Sequence, residues 1–121
     1  MVREELLRPS GPEIVRAWIS QPPNWLEVRA PLTAPDESLA RLDAGERDAI
    51  VLAGELHADQ LIVDDREGRR CAKERGILVI GTLGVLREAA LLGLLNLRIA
   101  VDRLRAANFY VAPEVLKHLL L

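Results

Sequence analysis

Two short apolar runs, "QLIV" at 60–63 and "ILVI" at 77–80, flank a charged segment that ends on Gly76. That arrangement limits the fold more than any other feature of the chain. Uninterrupted branched apolar residues suit strands that are covered on both faces, as parallel strands are. A helix from about Glu46 to His57 precedes the first run, with Ile50, Ala53 and Leu56 or His57 on one side. A second helix, Arg66 to Arg75, separates the runs and stops at Gly76. Helices over 83–92 and 98–107 follow, the latter stopped by Asn108. Strand and helix in alternation predict an α/β fold with a parallel central sheet.

The flanking regions are less regular. "SGP" and "QPPN" punctuate two short helical stretches near the start. "WLEVRAP" alternates apolar and polar residues, which predicts a half-buried strand from Trp25 to Ala30. Asp36 is a suitable cap for a short helix over Glu37–Leu42. "FYV" at 109–111 reads as a short edge strand, and Pro113 opens a final helix.

With 121 residues, the chain is expected to form one domain. No stretch approaches the roughly 18 apolar residues of a membrane span. The charged start (Arg3, Glu4, Glu5) argues against a signal peptide, so a cytoplasmic location is expected. Cys71 is the sole cysteine, which excludes an internal disulfide and a cysteine-rich zinc site. A net charge of −2 does not advertise nucleic-acid binding, although a local basic cluster still can provide it. Aromatics make up only 3% of the chain, which argues against a platform of stacked bases.

Chemistry concentrates in "LIVDDREGRR", Leu61 to Arg70. Ligands of open parallel sheets gather beyond the carboxyl ends of the strands, and Asp64 and Asp65 stand at such an end. The bland reading makes Asp64 the cap of the next helix, with Glu67 completing a capping box. One Asp fills one cap, however, and a second carboxylate in the same turn adds repulsion. A divalent cation makes use of both, since Mg²⁺ or Mn²⁺ takes hard oxygen ligands and activates water against a phosphodiester. Glu46 is the favoured third acid. It opens its helix after the small Gly45, and Ile50 and Ala53 continue its stripe, while Asp48 lies about 200° further round the helix. Arg66, Arg69 and Arg70 read either as a solvated face or as a grip on a phosphate backbone. Cys71 and Ala72 read as packing residues, and His57 and His118 as isolated surface residues. No Ser–His–Asp set, P-loop or dinucleotide fingerprint is present, and "GTLG" at 81–84 is too short for a phosphate cradle.

The string running from "LDAGERDAIVLAGELHADQ" through "LIVDDREGRR" to "GTLGVL", with the ending "RLRAANFYVAPEVLKHLL", resembles the second half of a PIN domain. The resemblance spans Leu42 to Leu121 and is strongest to PIN-like relatives of the VapC toxins. It implies a three-layer α/β fold around a parallel sheet and a Mg²⁺- or Mn²⁺-dependent ribonuclease, of a kind often paired with an antitoxin protein. By position, Glu46 matches the family's helix acid and Asp64 or Asp65 the acid after the strand. "VREELL" makes Glu5 a further ligand candidate. The resemblance therefore implies catalysis by Glu46, Asp64 and Asp65, metal binding by these three with Glu5, and RNA binding by Arg66, Arg69 and Arg70.

PIN domains open on a strand that ends in Asp, and no such strand precedes "VREELL" here. An N-terminally truncated PIN-like fold is therefore expected, with apolar surface covered by a second copy in a homodimer. Two functional readings result: a metal-dependent ribonuclease, or a catalytically degenerate PIN-like protein that binds a partner or itself. A receiver-like domain is a distant third, because its acid pair belongs on a first strand.

Overall fold

The computed structural model describes residues 1–120. It contains α1 (Val2–Leu6), α2 (Glu13–Ser20), a 3₁₀ turn (Glu37–Leu39), α3 (Ala44–Glu55), β1 (Leu61–Ile62), α4 (Arg66–Glu74), β2 (Val79–Ile80), α5 (Thr82–Leu91), α6 (Leu97–Ala106) and α7 (Pro113–Leu120). The fold is α/β, rich in helix, with a small parallel sheet of two strands ordered β1-β2. Two compact units make up the chain, Met1–Val79 and Ile80–Leu121.

In the first unit the core joins Leu39, Leu42, Ile50, Cys71 and Ala72, with Val51, Leu61, Ile77 and Val79 packed around them. Leu39 and Ala72 have no exposed surface, so the apolar contacts centre on them. Helix α4 is dominated by charge, and small residues let it bury one face. Gly68, Cys71 and Ala72 recur at three- and four-residue spacing and pack inward. On the outer face Arg70 lies between Glu67 and Glu74, at 2.7 and 2.8 Å. Helix α3 packs against both β1 and α4.

Two polar ties fasten the irregular 32–38 segment to these helices. The Glu55 carboxylate accepts from the amides of Leu32 (3.0 Å) and Thr33 (2.8 Å) and from the Thr33 hydroxyl (2.6 Å). The Thr33 hydrogen bond, above all, holds this carboxyl below the ordinary glutamate range. At the end of α4 the Arg75 guanidinium donates to Asp36 and to the Ser38 hydroxyl, the latter at 2.9 Å. Asp36 in turn caps the 3₁₀ turn by accepting from the Ser38 amide at 2.9 Å.

Helices α3 to α6 close in one way, on a residue with positive φ: His57 (49°), Gly76 (75°), Gly93 (76°) and Asn108 (68°). The next amide then bonds back five residues, as from Ala58 to Ala53 and from Ile77 to Ala72, both at 3.0 Å. These stops fall where Gly76 and Asn108 place them in the sequence.

The strands depart most from expectation. Trp25–Ala30 forms no strand. Alternation only proposes a strand, and a neighbouring ladder is needed to take its backbone groups. Instead Leu26, Val28 and Ala30 line an apolar pocket with Trp18 of α2, whose ring lies 6.3 Å from that of Trp25. "FYV" also stays irregular, because the Phe109 amide is spent on the Leu104 carbonyl in closing α6 (3.1 Å). The first apolar run is not buried throughout: Ile62 is 64% exposed while Val63 is 8%. Helical structure after Asp36 ends at Leu39 rather than Leu42.

In the second unit α5 and α6 pack against each other, and Val101 is fully buried. "GTLG" finds a packing role there. A methyl group at Gly84 would lie 2.6 Å from the Ile80 side chain, so the glycine lets the first turn of α5 close over that residue. Among the described residues no helix is long and apolar enough to cross a membrane.

Candidate functional site

The acids singled out in the sequence sit on α1, at the start of α3 and in the β1–α4 turn, all within the first unit. The turn is built by Asp65. Its Oδ2 accepts from the Gly68 amide at 2.8 Å, capping α4. The cap thus falls on Asp65 and not on Asp64, one residue later than the capping-box reading placed it. Glu67 does not reach back to complete a box; it pairs with Arg70. Asp64 is exposed between the buried Val63 and this cap.

Helix α3 brings the next acid. Glu46 lies in its first turn, where a negative charge faces the positive end of the helix dipole, and it is half-buried. Its stem passes close to α4: Glu46 Cγ is 3.6 Å from the point a Gly68 Cβ would occupy. The same point is 3.5 Å from Asp65 Oδ2 and 3.1 Å from Val63 Cγ2. Gly68 therefore marks where the first turns of α3 and α4 come together. Asp48, two residues beyond Glu46, lines the apolar pocket beside α1 and α2.

Glu5 reaches the same end of α3 from α1. Its Oε1 lies 3.0 Å from the position of a Cβ at Gly45. Glu5, Glu46 and Asp65 are thus drawn toward the first turns of two adjoining helices. They do not meet at one point: among the described residues, no three His, Cys, Asp or Glu side chains are grouped closely enough to hold a metal ion. In kind, the donors suit a hard divalent cation, for all are carboxylate oxygens. The space at Gly45 is taken by the Glu5 carboxylate, whereas that at Gly68 is taken first by Val63, with Asp65 Oδ2 and the stem of Glu46 behind it.

The three arginines differ. Arg66, Arg69 and Arg70 are all exposed along α4. Arg70 is braced by Glu67 and Glu74, which raises its guanidinium's affinity for its proton, with the Glu67 hydrogen bond the largest cause. Glu67 is correspondingly held below the usual carboxylate range. Arg66 and Arg69 lie on the turn that follows Asp65.

Residues at 45 and 68 were the ones sequence reasoning undervalued. Glycine in a helix is unfavourable by roughly 0.5–1 kcal/mol relative to alanine. Two buried glycines in the first turns of consecutive long helices were therefore a readable signal of close approach. Cys71 and Ala72 are buried as expected, and His57 and His118 are exposed.

A family model described as a PIN domain matches residues 1–121. No curated protein and no solved structure matches the chain.

Proposed function

We propose that this chain, which belongs to the PIN-domain family, is a metal-dependent ribonuclease that hydrolyses RNA phosphodiesters. The observation that carries this reading is the approach of Glu5, Glu46 and Asp65 to the adjoining first turns of α3 and α4, with Asp64 beside them. PIN domains generally use divalent metal ions and commonly bind RNA. Glu46, Asp64, Asp65 and Glu5 are the residues that would hold Mg²⁺ or Mn²⁺. Such an ion supplies a water acidic enough to attack at neutral pH and offsets charge on the phosphate.

The protein's own residues have separable tasks. Glu46, from the first turn of α3, and Asp64, from the turn after β1, provide carboxylates, and Asp65 keeps that turn in place through its bond to the Gly68 amide. Arg66 and Arg69 hold the phosphate backbone, which positions an RNA without reading its sequence. Arg70, already occupied by two carboxylates, contributes less than its neighbours. A role as the toxin of a pair, opposed by an antitoxin protein, belongs to this same reading.

The test is cleavage of a short single-stranded RNA with added Mn²⁺ or Mg²⁺, compared with EDTA. Asn remains a good helix cap, so Asp64→Asn with Asp65→Asn removes charge without opening α4. Activity is expected to fall at least roughly a hundredfold in the double variant. Unchanged cleavage in it, or none in the parent protein with either metal, rejects the catalytic reading.

A second reading, a degenerate PIN-like binding or self-associating module, draws on a different observation. In the second unit Leu91, Leu92 and Leu94 are 75, 75 and 74% exposed, more apolar surface than isolated surface residues explain. A second copy of the chain is the occupant this reading favours, giving a homodimer. Sedimentation of the protein distinguishes the two: a monomer with metal-dependent activity removes this alternative.

A further inference from the structure

We infer that Gly45 is a positioning residue, whose missing side chain seats the Glu5 carboxylate against the first turn of α3, beside Glu46. The inference rests on the metal-dependent reading above and adds to it the device that would set the spacing of the acids.

Three glycines of the first unit lie inside helices, and their surroundings differ. A methyl group at Gly54, near the end of α3, meets nothing within 4 Å. At Gly68 it meets the packed Val63 side chain at 3.1 Å, so the neighbour that must yield belongs to the buried interior. At Gly45 the nearest three atoms are all from the Glu5 carboxyl group: Oε1 at 3.0 Å, and Cδ and Oε2 both at 3.6 Å. Real Cβ atoms are seldom that close to a neighbour. An alanine at 45 therefore crowds one specific group first, the far end of the flexible Glu5 side chain.

That selectivity separates positioning from folding. Glycine to alanine inside a helix is favourable where space allows. Glu5 can swing aside at little cost because only its far end is touched. A Gly45→Ala protein should fold as well as the parent while the Glu5 carboxylate is pushed back from the turn that carries Glu46. Burial of Gly45 fits this role, since the residue is covered although its helix has barely begun.

The experiment titrates Mn²⁺ alone into the parent, Gly45→Ala, Gly54→Ala, Glu5→Ala and the Glu5→Ala/Gly45→Ala pair, and records each thermal midpoint. Gly45→Ala should weaken Mn²⁺ binding roughly tenfold, the scale seen when a group that orients a ligand is lost. Its thermal midpoint should not fall. Gly54→Ala should bind Mn²⁺ as the parent does. With Glu5 already removed, the added Gly45→Ala change should have no further effect on affinity, because the two act through one carboxylate. Parent-like affinity in Gly45→Ala overturns the inference and leaves the metal reading standing. So does a loss of the same size in the Glu5→Ala background, or a loss that tracks a lowered midpoint. A parent that binds no Mn²⁺ overturns the inference and the metal reading together.

Discussion

Replacing Glu46 by Gln is expected to reduce metal-dependent RNA cleavage at least roughly a hundredfold, the scale for losing a group that offsets charge in the transition state. Position and burial make this the sharpest single test. Glu46 is half-buried in the first turn of α3, its stem beside Gly68, the residue whose amide Asp65 caps. Glutamine keeps the shape and the reach and discards only the charge. Some stability goes with it, because a carboxylate in a first turn favours the helix dipole by about 0.3–1 kcal/mol. A hundredfold loss in rate corresponds to about 2.7 kcal/mol of transition-state stabilisation, well above that structural cost. Initial rates on a single-stranded RNA at saturating Mn²⁺, together with a melting curve, separate the two effects. A variant that cuts as fast as the parent removes Glu46 from the reaction.

The largest stability effect is expected at Ile50. It is 1% exposed and stands in the core with Leu39, Leu42, Cys71 and Ala72. Ile50→Ala deletes three carbons from a site that α3, α4 and the 3₁₀ turn all close upon, a loss of about 2–5 kcal/mol. Domains of this size are stable by only about 5–15 kcal/mol, so the variant should sit near its unfolding threshold. Ile62 offers the contrast: it is 64% exposed, and its truncation should cost less than about 1 kcal/mol. Urea midpoints for the two variants measure the difference. Equal midpoints contradict this description of the core.

Helices were legible in the sequence because their ends are written locally. Gly76 and Asn108 adopt the left-handed conformation that stops α4 and α6, and Pro113 opens α7 where it should. Strands were less legible, since a strand exists only when another lies beside it. The alternating Trp25–Ala30 segment has the right pattern for a ladder and lines a pocket instead. The family, too, could be read from the string around Asp64 and Asp65, and the match of residues 1–121 supports it. What could not be read was the division of labour inside that pair. Which Asp caps α4 depends on a one-residue difference in where the helix begins, and helix starts are blurred by that much. The seat of Glu5 at Gly45 was invisible for another reason: it joins residues 40 positions apart, and neither marks the other in sequence.

The brace around Arg70 has a consequence for how the protein should respond to ionic strength. Each phosphate neutralised by a cationic side chain releases condensed counterions, and on a single strand this contributes about −0.7 to the slope of log affinity against log salt. Three free arginines on α4 would contribute about −2.1. If the protein binds RNA as proposed, with Arg70 already paired to Glu67 and Glu74, release would be left to Arg66 and Arg69, and their share would be about −1.4. Replacing Arg70 by Ala should therefore barely change the slope for RNA binding, whereas Arg66→Ala should flatten it. An equal flattening by both would show that RNA pulls Arg70 away from its two glutamates.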